Sequence, residues 1–456
     1  MGYAFSRPML APILVCAPIL LGAGGLGGAL SIRGAIDLAV AAHPALREAI
    51  AREEEAARVV GVRRTAYLPA LELSAAGQAA GLTLAPGVFL DLPGIPTVSG
   101  APVARAFAPG STAGAAFDWN ADLLHAIALT DAAIASSEEA TEARRAAALT
   151  VAADAGDAFL ALAEAGERVR AEKMNVDRAK VFLKVVAALV MESLRPAADG
   201  SRAQAILALT QVDLARAQAA VKIARARLGV ALGEPGTQVP IDAEGLGRLP
   251  EHPLALSAPS SRNPFVLERT RAVRVGRLDE RAINLELLPR IDLLAAAWAR
   301  GTGFGSPVTP GDGVWPAAPS WAAGIALLWP AFSIFEIRAR ARAAAARVEA
   351  FREDQRRVFQ AVQGEVQSAR AALEGTLAVA RRTPVALGAA RITEMQALAR
   401  YQAGLVTVED VAEAEAILAR AEVEDAVARL EVRRAELTLA RAAGDLSPFL
   451  AEVAGG

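Results

Sequence analysis

Few residues of this chain have the types and spacing that chemistry needs. The three histidines, His43, His125 and His252, are far apart and show no metal-ligand spacing. His43 stands before Pro44 at the start of a helical pattern, where a capping or turn role suits it. The single cysteine, Cys16, lies in an apolar N-terminal segment, so a chain cleaved after that segment has neither a thiol nucleophile nor a disulfide. Gly22-Ala23-Gly24-Gly25-Leu26-Gly27 fits a dinucleotide-binding pattern, but no strand precedes it. With no phosphate loop and no nucleophile elbow, the sequence predicts a protein that is not an enzyme and needs no cofactor or metal. Carboxylates are plentiful on the helical stretches, and Asp410 and Glu413, one turn apart on a single helix face, read on their own as part of a solvated face.

The elements that position this pair come from a duplication. His43-Pro44 opens a helical run that closes at Tyr67-Leu68-Pro69, and Asn263-Pro264 opens another that closes at Leu288-Pro289. Leu71-Glu72-Leu73 and Ile291-Asp292-Leu293 follow. Farther on, Ala205-Ile206-Leu207-Ala208 recurs as Ala416-Ile417-Leu418-Ala419, and Gly233 as Gly444, at an offset of 211. The repeat fills the chain almost end to end. Repeat 1 spans 30–233, an irregular Pro/Ser-rich linker spans 234–262, repeat 2 spans 263–445, and 446–456 is a tail.

Residues 1–29 read as a secretory leader: Arg7, an apolar run from Met9 to Leu21, then small residues at Gly27-Gly28-Ala29. A membrane anchor is the alternative, although the run is short. No other run of about 18 apolar residues is present. Forty-eight basic residues against 50 acidic ones argue against nucleic-acid binding through a basic face.

Within repeat 1, composition predicts a helix over 32–66, a β-hairpin over 70–119 rich in Gly and Pro, and a helical hairpin over 120–233. The first arm of that hairpin, 120–191, has no proline and would extend on the order of 105 Å, too far for one globular domain. It breaks at Ser193-Leu194-Arg195-Pro196. Repeat 2 predicts a helix over 265–288, a β-hairpin over 290–329 and a helical hairpin over 334–443, broken at Gly404. In each repeat the two short helices sum to roughly the long one, so they could stack end to end beside it. Pro384 interrupts the long helix of repeat 2 and predicts a kink.

Steps of three and four run through Val348, Phe351, Gln355, Val358, Val362, Val366 and Ala369. A similar stripe runs through Val411, Ala414, Leu418, Ala421, Ala428, Val432, Ala435 and Leu439. A second stripe, Val423, Val427, Leu430 and Leu437, suggests neighbours on two sides, as in a ring of helices; an ordinary bundle is the alternative. All five tryptophans (Trp119, Trp298, Trp315, Trp321, Trp329) lie in the strand-like regions. They fit either a membrane-interface girdle or the core of a small soluble β-domain. About four strands are too few to close a barrel, and lipid tolerates no open edge; three chains would supply twelve.

These residues resemble the TolC family of outer-membrane efflux and secretion channels over roughly 32–445. The resemblance rests on the duplicated His/Asn-Pro to Leu-Pro helix and on Trp329-Pro330-Ala331-Phe332 leading into a long helix. It rests also on Tyr401-Gln402-Ala403-Gly404-Leu405-Val406-Thr407-Val408-Glu409-Asp410-Val411. It implies a homotrimer in the cell outer membrane: a twelve-stranded barrel, with a long α-helical barrel below it in the periplasm. That helical barrel would be closed at its far end and dilated when a periplasmic adaptor and an inner-membrane pump engage. Tyr401, Asp410, Glu413 and Asp199 match positions that hold and ring the closed aperture, where stacked acidic rings select cations. The family's arginine position is Val406 here, which puts the full ion-pair latch in doubt. Leu194-Arg195-Pro196 and Gly404-Leu405-Val406-Thr407 would be the adaptor-contacting tips. The implied function is passive export of small molecules such as drugs. The alternatives are a type I protein secretion outlet, a soluble periplasmic coiled-coil scaffold, and a paralogue that no longer opens.

Overall fold

The computed structural model describes residues 29–82, 105–120, 122–236, 240–243, 245–250, 260–302, 314–329 and 332–455. The leader reading of 1–28 and the loop of the first β-hairpin lie outside them. In chain order the elements are α1 (Ile32–Ala42), α2 (Pro44–Arg64), β1 (Ala70–Leu82), β2 (Arg105–Asn120), α3 (Leu123–Met191), α4 (Ala197–Ala231), α5 (Pro264–Leu285), β3 (Arg290–Thr302), β4 (Ala318–Leu328), α6 (Ile334–Gln402), α7 (Val408–Ala443) and α8 (Ser447–Gly455).

The helix expected over 32–66 is two helices. Pro44 has no N–H to give to the preceding turn and its ring disfavours helical backbone at His43. His43 is accordingly extended (φ −66°, ψ 130°) and its Nδ1 accepts from the Ala45 N–H at 3.2 Å. Asn263 does the same for α5, accepting from Phe265 N–H at 3.0 Å while its side chain donates to Ala442 O at 2.9 Å. The expected tail carries α8, whose Phe449 is fully buried.

α3 and α6 have 69 residues each, about 104 Å of helix. α1, α2 and α4 pack along α3, and α5 and α7 pack along α6. The short helices meet end to end. Gly233, after α4, has φ +79°, and a Cβ there would lie 3.0 Å from His43 Cα at the start of α2. Gly444, after α7, has φ +90°, and its Cβ would lie 3.0 Å from Asn263 Cα at the start of α5. Glycine is needed at both points for two reasons, the left-handed backbone and the close approach.

α3 also contacts α5 and α7, which joins the two repeats into one helical layer. Every member of the α7 stripe from Val411 to Leu439 is buried, and so are Val427, Leu430 and Leu437 of its second stripe. One stretch of α3 is apolar enough to cross a membrane by composition, contrary to the sequence expectation, but most of that stretch is buried against neighbouring helices. α6 runs without interruption through Pro384. The proline removes the N–H that Ala380 O would accept, and the Thr383 hydroxyl sits 3.5 Å from that carbonyl and 2.9 Å from Asp425 Oδ1.

The strands form one antiparallel sheet in the order β1-β2-β3-β4. The register places Glu72, Ser74, Thr112, Asp118, Asp292, Arg300 and Ser320 on one face. Leu71, Leu73, Phe117, Trp119, Ile291, Trp321, Ile325 and Leu327 fall on the other. Leu71, Leu73, Trp321, Ile325 and Leu327 are among the most exposed apolar residues of the chain. Trp298 departs from expectation. It stands on the polar face, 7% exposed, with the Arg300 guanidinium 5.7 Å from its ring centroid, so it is not a lipid-facing girdle residue.

Candidate functional site

The site is the pair of helix turns farthest from the sheet. The α3–α4 and α6–α7 turns are copies of one another, residue for residue at the 211 offset. Ser193 N–H donates to Val190 O and Leu194 N–H to Leu189 O; Gly404 N–H donates to Tyr401 O and Leu405 N–H to Arg400 O. Ser193 and Gly404 are both left-handed, with φ of 58° and 80°. For Gly404 that backbone is cheap; for Ser193 it is strained.

The copies diverge in what their side chains do. α7 is opened by a capping box. Thr407 N–H and Oγ donate to Asp410 Oδ2 at 2.8 and 2.7 Å, and the Asp410 N–H points back to Thr407 Oγ1 at 3.4 Å. At the matching place in repeat 1 stands Pro196, with neither an N–H nor a hydroxyl. Asp199 therefore has nothing to cap and is available elsewhere. Its Oδ2 accepts the Tyr401 phenol at 3.0 Å, across from one turn to the other.

Arg195 completes the bridge. It occupies the repeat-1 position that matches Val406, and its Nη2 donates to Val406 O at 3.1 Å and to Tyr401 O at 2.5 Å. Its guanidinium carbon lies 4.2 Å over the Tyr401 ring. The guanidinium at these turns thus comes from position 195, and it grips carbonyls and an aromatic face of the sister turn. Sequence reading named Arg195 only as a tip residue; the 211 offset that aligns it with Val406 was the available signal.

Tyr401 is fully buried, with Phe182, Val186, Ala203, Val408 and Val411 in its cluster. Burial, then the hydrogen bond to Asp199 and the charge of that carboxylate, push its phenol up to about 12, and Arg195 partly opposes them. Asp410 is held below the usual carboxylate range by the donors of Thr407.

Among the expected aperture residues, Tyr401 and Asp199 are brought together. Asp410 and Glu413 are exposed and apart from that contact. Leu194 and Leu405 project into solvent at the two turns, 69% and 76% exposed. Arg202 and Glu409 form an exposed ion pair between the turns, at 2.5 Å. Among the described residues no group of three or more His, Cys, Asp or Glu is placed to hold a metal.

A family model described as outer membrane efflux protein matches residues 35–234 and 262–445, which is most of the chain and both repeats. The chain belongs to the outer membrane efflux protein family. It is therefore an outer-membrane channel protein with a periplasmic helical extension, and not an enzyme. Solved channels share its fold. CusC superposes with a TM-score of 0.78 at 17% identity, covering 91% of this chain and 92% of that one. VceC of Vibrio cholerae gives 0.73 at 17% identity, covering 91% and 96%. MtrE of Neisseria gonorrhoeae, in its open state, gives 0.73 at 19% identity, covering 91% and 89%. A search of curated proteins gives no match.

Within this efflux family fold, the four turn residues Arg195, Asp199, Tyr401 and Val406 are positioned by helices, and only two of those four use their side chains as donors. Of the other tip residues, Leu194, Pro196, Gly404 and Leu405 present apolar side chains and backbone, and Thr407 spends its hydroxyl on the α7 cap.

Proposed function

We propose that this outer membrane efflux protein is a passive exit duct for small molecules, built from three copies and gated at the α3–α4 and α6–α7 turns. One observation carries the reading. A four-stranded sheet with one apolar and one polar face stands at one end of helices about 104 Å long. Its β1 and β4 edges have no partner among the described strands. Hydrocarbon cannot accommodate such edges, and three sheets of four strands close into a barrel with polar residues inside.

The aromatic positions support that orientation. Trp329 and Trp321 are eight residues apart, about 27 Å along a strand, which a tilt of about 40° reduces to roughly 20 Å across the membrane, most of the apolar band. Trp119 pairs at the Trp329 end and donates to Tyr67 O at 3.3 Å, as Trp329 donates to Leu287 O at 3.3 Å. Trp315 lies next to β4 at the opposite end. Trp119 and Trp329 thus anchor the helix-proximal end of the sheet, as interface tryptophans do.

In this reading the sheet spans the outer membrane and the helices cross the periplasm. The turns meet a periplasmic adaptor, and an inner-membrane pump supplies the energy. Arg195, Asp199 and Tyr401 tie the two hairpins of one protomer together and keep the end narrow. Asp410 and Glu413, exposed at the same end, form acidic rings in the trimer that favour cations. The leader at 1–29 directs export from the cytoplasm. The test is the native mass and membrane partition of the processed protein in a Gram-negative host. A detergent-requiring species of about three chains in the outer-membrane fraction is expected; a soluble periplasmic monomer or dimer would contradict the reading.

A further inference from the structure

Above the turns, α3 and α7 share one arginine between two glutamates. Arg178 reaches Glu422 with both terminal nitrogens, Nη1 to Oε1 at 3.0 Å and Nη2 to Oε2 at 2.7 Å. That is a complete fork-to-carboxylate pair. Glu415, two turns earlier on α7, is left with the flank of the same guanidinium, its Oε2 at 3.5 Å from Nε. Arg178 also donates to Asn175 Oδ1. The side chains of Glu415 and Glu422 are only 13% and 6% exposed.

The charges around Glu415 do not balance. α3 contributes Arg178, already committed to Glu422, and Asp177, which is paired with Lys180 at 2.8 Å on its own helix. α6 contributes Glu394, which faces the same cleft. α7 contributes Glu422. Glu415 therefore sits between two other carboxylates with one shared cation. A cleft of about 470 Å³ between α3, α6 and α7, walled by Met174, Val181, Phe182 and Leu398, reaches it from solvent. Buried carboxylates in excess of their cations are relieved by taking up a proton, and the cleft gives protons a route.

We propose that Glu415 is a proton-operated brace between α3 and α7. Protonated, it removes one surplus negative charge from beside Arg178, and the two helices pack closely. Ionised, it repels Glu394 and Glu422 and loosens the end of the hairpins that carries the turns. Proton binding is the only chemical step, from solvent to the Glu415 carboxylate and back. The inference does not depend on cargo, on a pump or on the trimer.

The electrostatics agree in direction. Burial raises the Glu415 carboxyl above the usual glutamate range, Arg178 opposes this, and Glu394 and Glu422 add to the rise. A carboxyl raised in the folded state stabilises the contact in acid. That stabilisation is complete below the ordinary glutamate value and is lost as pH rises through the raised one. Rising pH thus loosens this level of the helices, and acid tightens it.

The test is amide hydrogen exchange of the full-length protein in detergent, corrected for intrinsic rates, between about pH 5 and about pH 7.5. Segments around residues 174–186 and 411–422 are followed. In the wild type, opening in these segments should rise with pH by up to about tenfold per unit across the titration. Glu415→Gln should show the protected, acid-like level at every pH. Glu394→Gln, a change at a partly exposed position, should move the midpoint to lower pH by removing one of the charges that raise Glu415. Glu424→Gln, exposed on the same helix and paired only with Arg420, should leave the profile where it was. A wild-type profile without pH dependence would overturn the proposal. So would unchanged dependence in Glu415→Gln, or an unmoved midpoint in Glu394→Gln.

Discussion

Tyr401 and Arg195 carry most of what happens at the turns, and each leads to a distinct expectation. Tyr401→Phe keeps the buried ring and removes only the phenol, leaving Asp199 to water. A loss of about 1 kcal/mol in turn pairing is expected, read as a higher open probability in single-channel records. Arg195→Ala withdraws the donor from two carbonyls and the cation from the ring, so it should open the end further than Tyr401→Phe. Arg195→Lys should restore part of the effect, because an ammonium can reach one carbonyl but lacks the planar fork.

The pH dependence of the phenol bond has a defined sign. A phenol raised in the folded state contributes stability that is complete below its ordinary value near 10 and lost as pH rises through about 12. The Tyr401–Asp199 bond should therefore not weaken on going from neutral to mildly alkaline buffer, as hydrogen exchange across the turns would report. Neutralising Asp410 and Glu413 together should reduce cation preference and divalent block. Asp410→Asn alone should also weaken the α7 cap, since its carboxylate is the acceptor for Thr407.

At this scale the sequence pointed to positions more readily than to the contacts they make. Tyr401 and Asp199 were legible through resemblance, and they meet. The divergence between the copies was not, because it turns on Pro196 lacking the donors that Thr407 has, which frees one aspartate and confines the other. Arg195 could have been aligned with Val406 by counting. That it grips carbonyls and an aromatic face, and no carboxylate, needed coordinates.

At the scale of elements, the glycines after α4 and α7 set how the short helices stack on one another. Gly444→Ala must place a Cβ near 3.0 Å from Asn263 Cα with φ at +90°. Left-handed strain alone costs about 1–2 kcal/mol, so the midpoint of thermal unfolding should fall, and Gly233→Ala should behave alike. Ser193→Gly removes the same kind of strain and should raise it.

The helices were the most legible part of the chain because their periodicity is long and their breaks carry Pro or Gly. The hairpin expected over 334–443 with a break at Gly404 is α6 and α7, Ile334–Gln402 and Val408–Ala443. The break at His43 was read only as a helix start, although the rule that a residue before proline leaves the helical region applied there. The strands were less legible. Their alternation is diluted by Ala and Gly on both faces, so that Trp298 passed for one of the lipid-facing aromatics until the register put it beside Arg300. On the apolar face, Leu73→Arg should destabilise insertion by about 2–4 kcal/mol if it sits near mid-membrane, measurable as reduced heat-resistant oligomer in outer-membrane fractions. Thr112→Arg on the polar face should leave insertion largely intact.

At the scale of the whole molecule, the two repeats share a backbone at the turns but use their side chains differently where function is proposed. Elsewhere the copies preserve the same devices: an X-Pro cap, a tryptophan N–H on a corner carbonyl, and a glycine where two helices meet end to end. At the turns, one copy supplies the arginine and the free aspartate, and the other supplies the tyrosine and the acidic face. A duct gated there needs both halves of the duplication in one chain, which a single hairpin repeated six times would not provide.

The measurement that tests this most directly is planar-bilayer conductance of the purified oligomer, wild type beside the Tyr401→Phe and Arg195→Ala double variant. The account predicts a low, mostly closed wild-type conductance and a severalfold larger one in the variant, with the same native mass. Equal conductance in two correctly assembled proteins would show that the Arg195–Tyr401–Asp199 bridge does not hold the channel closed.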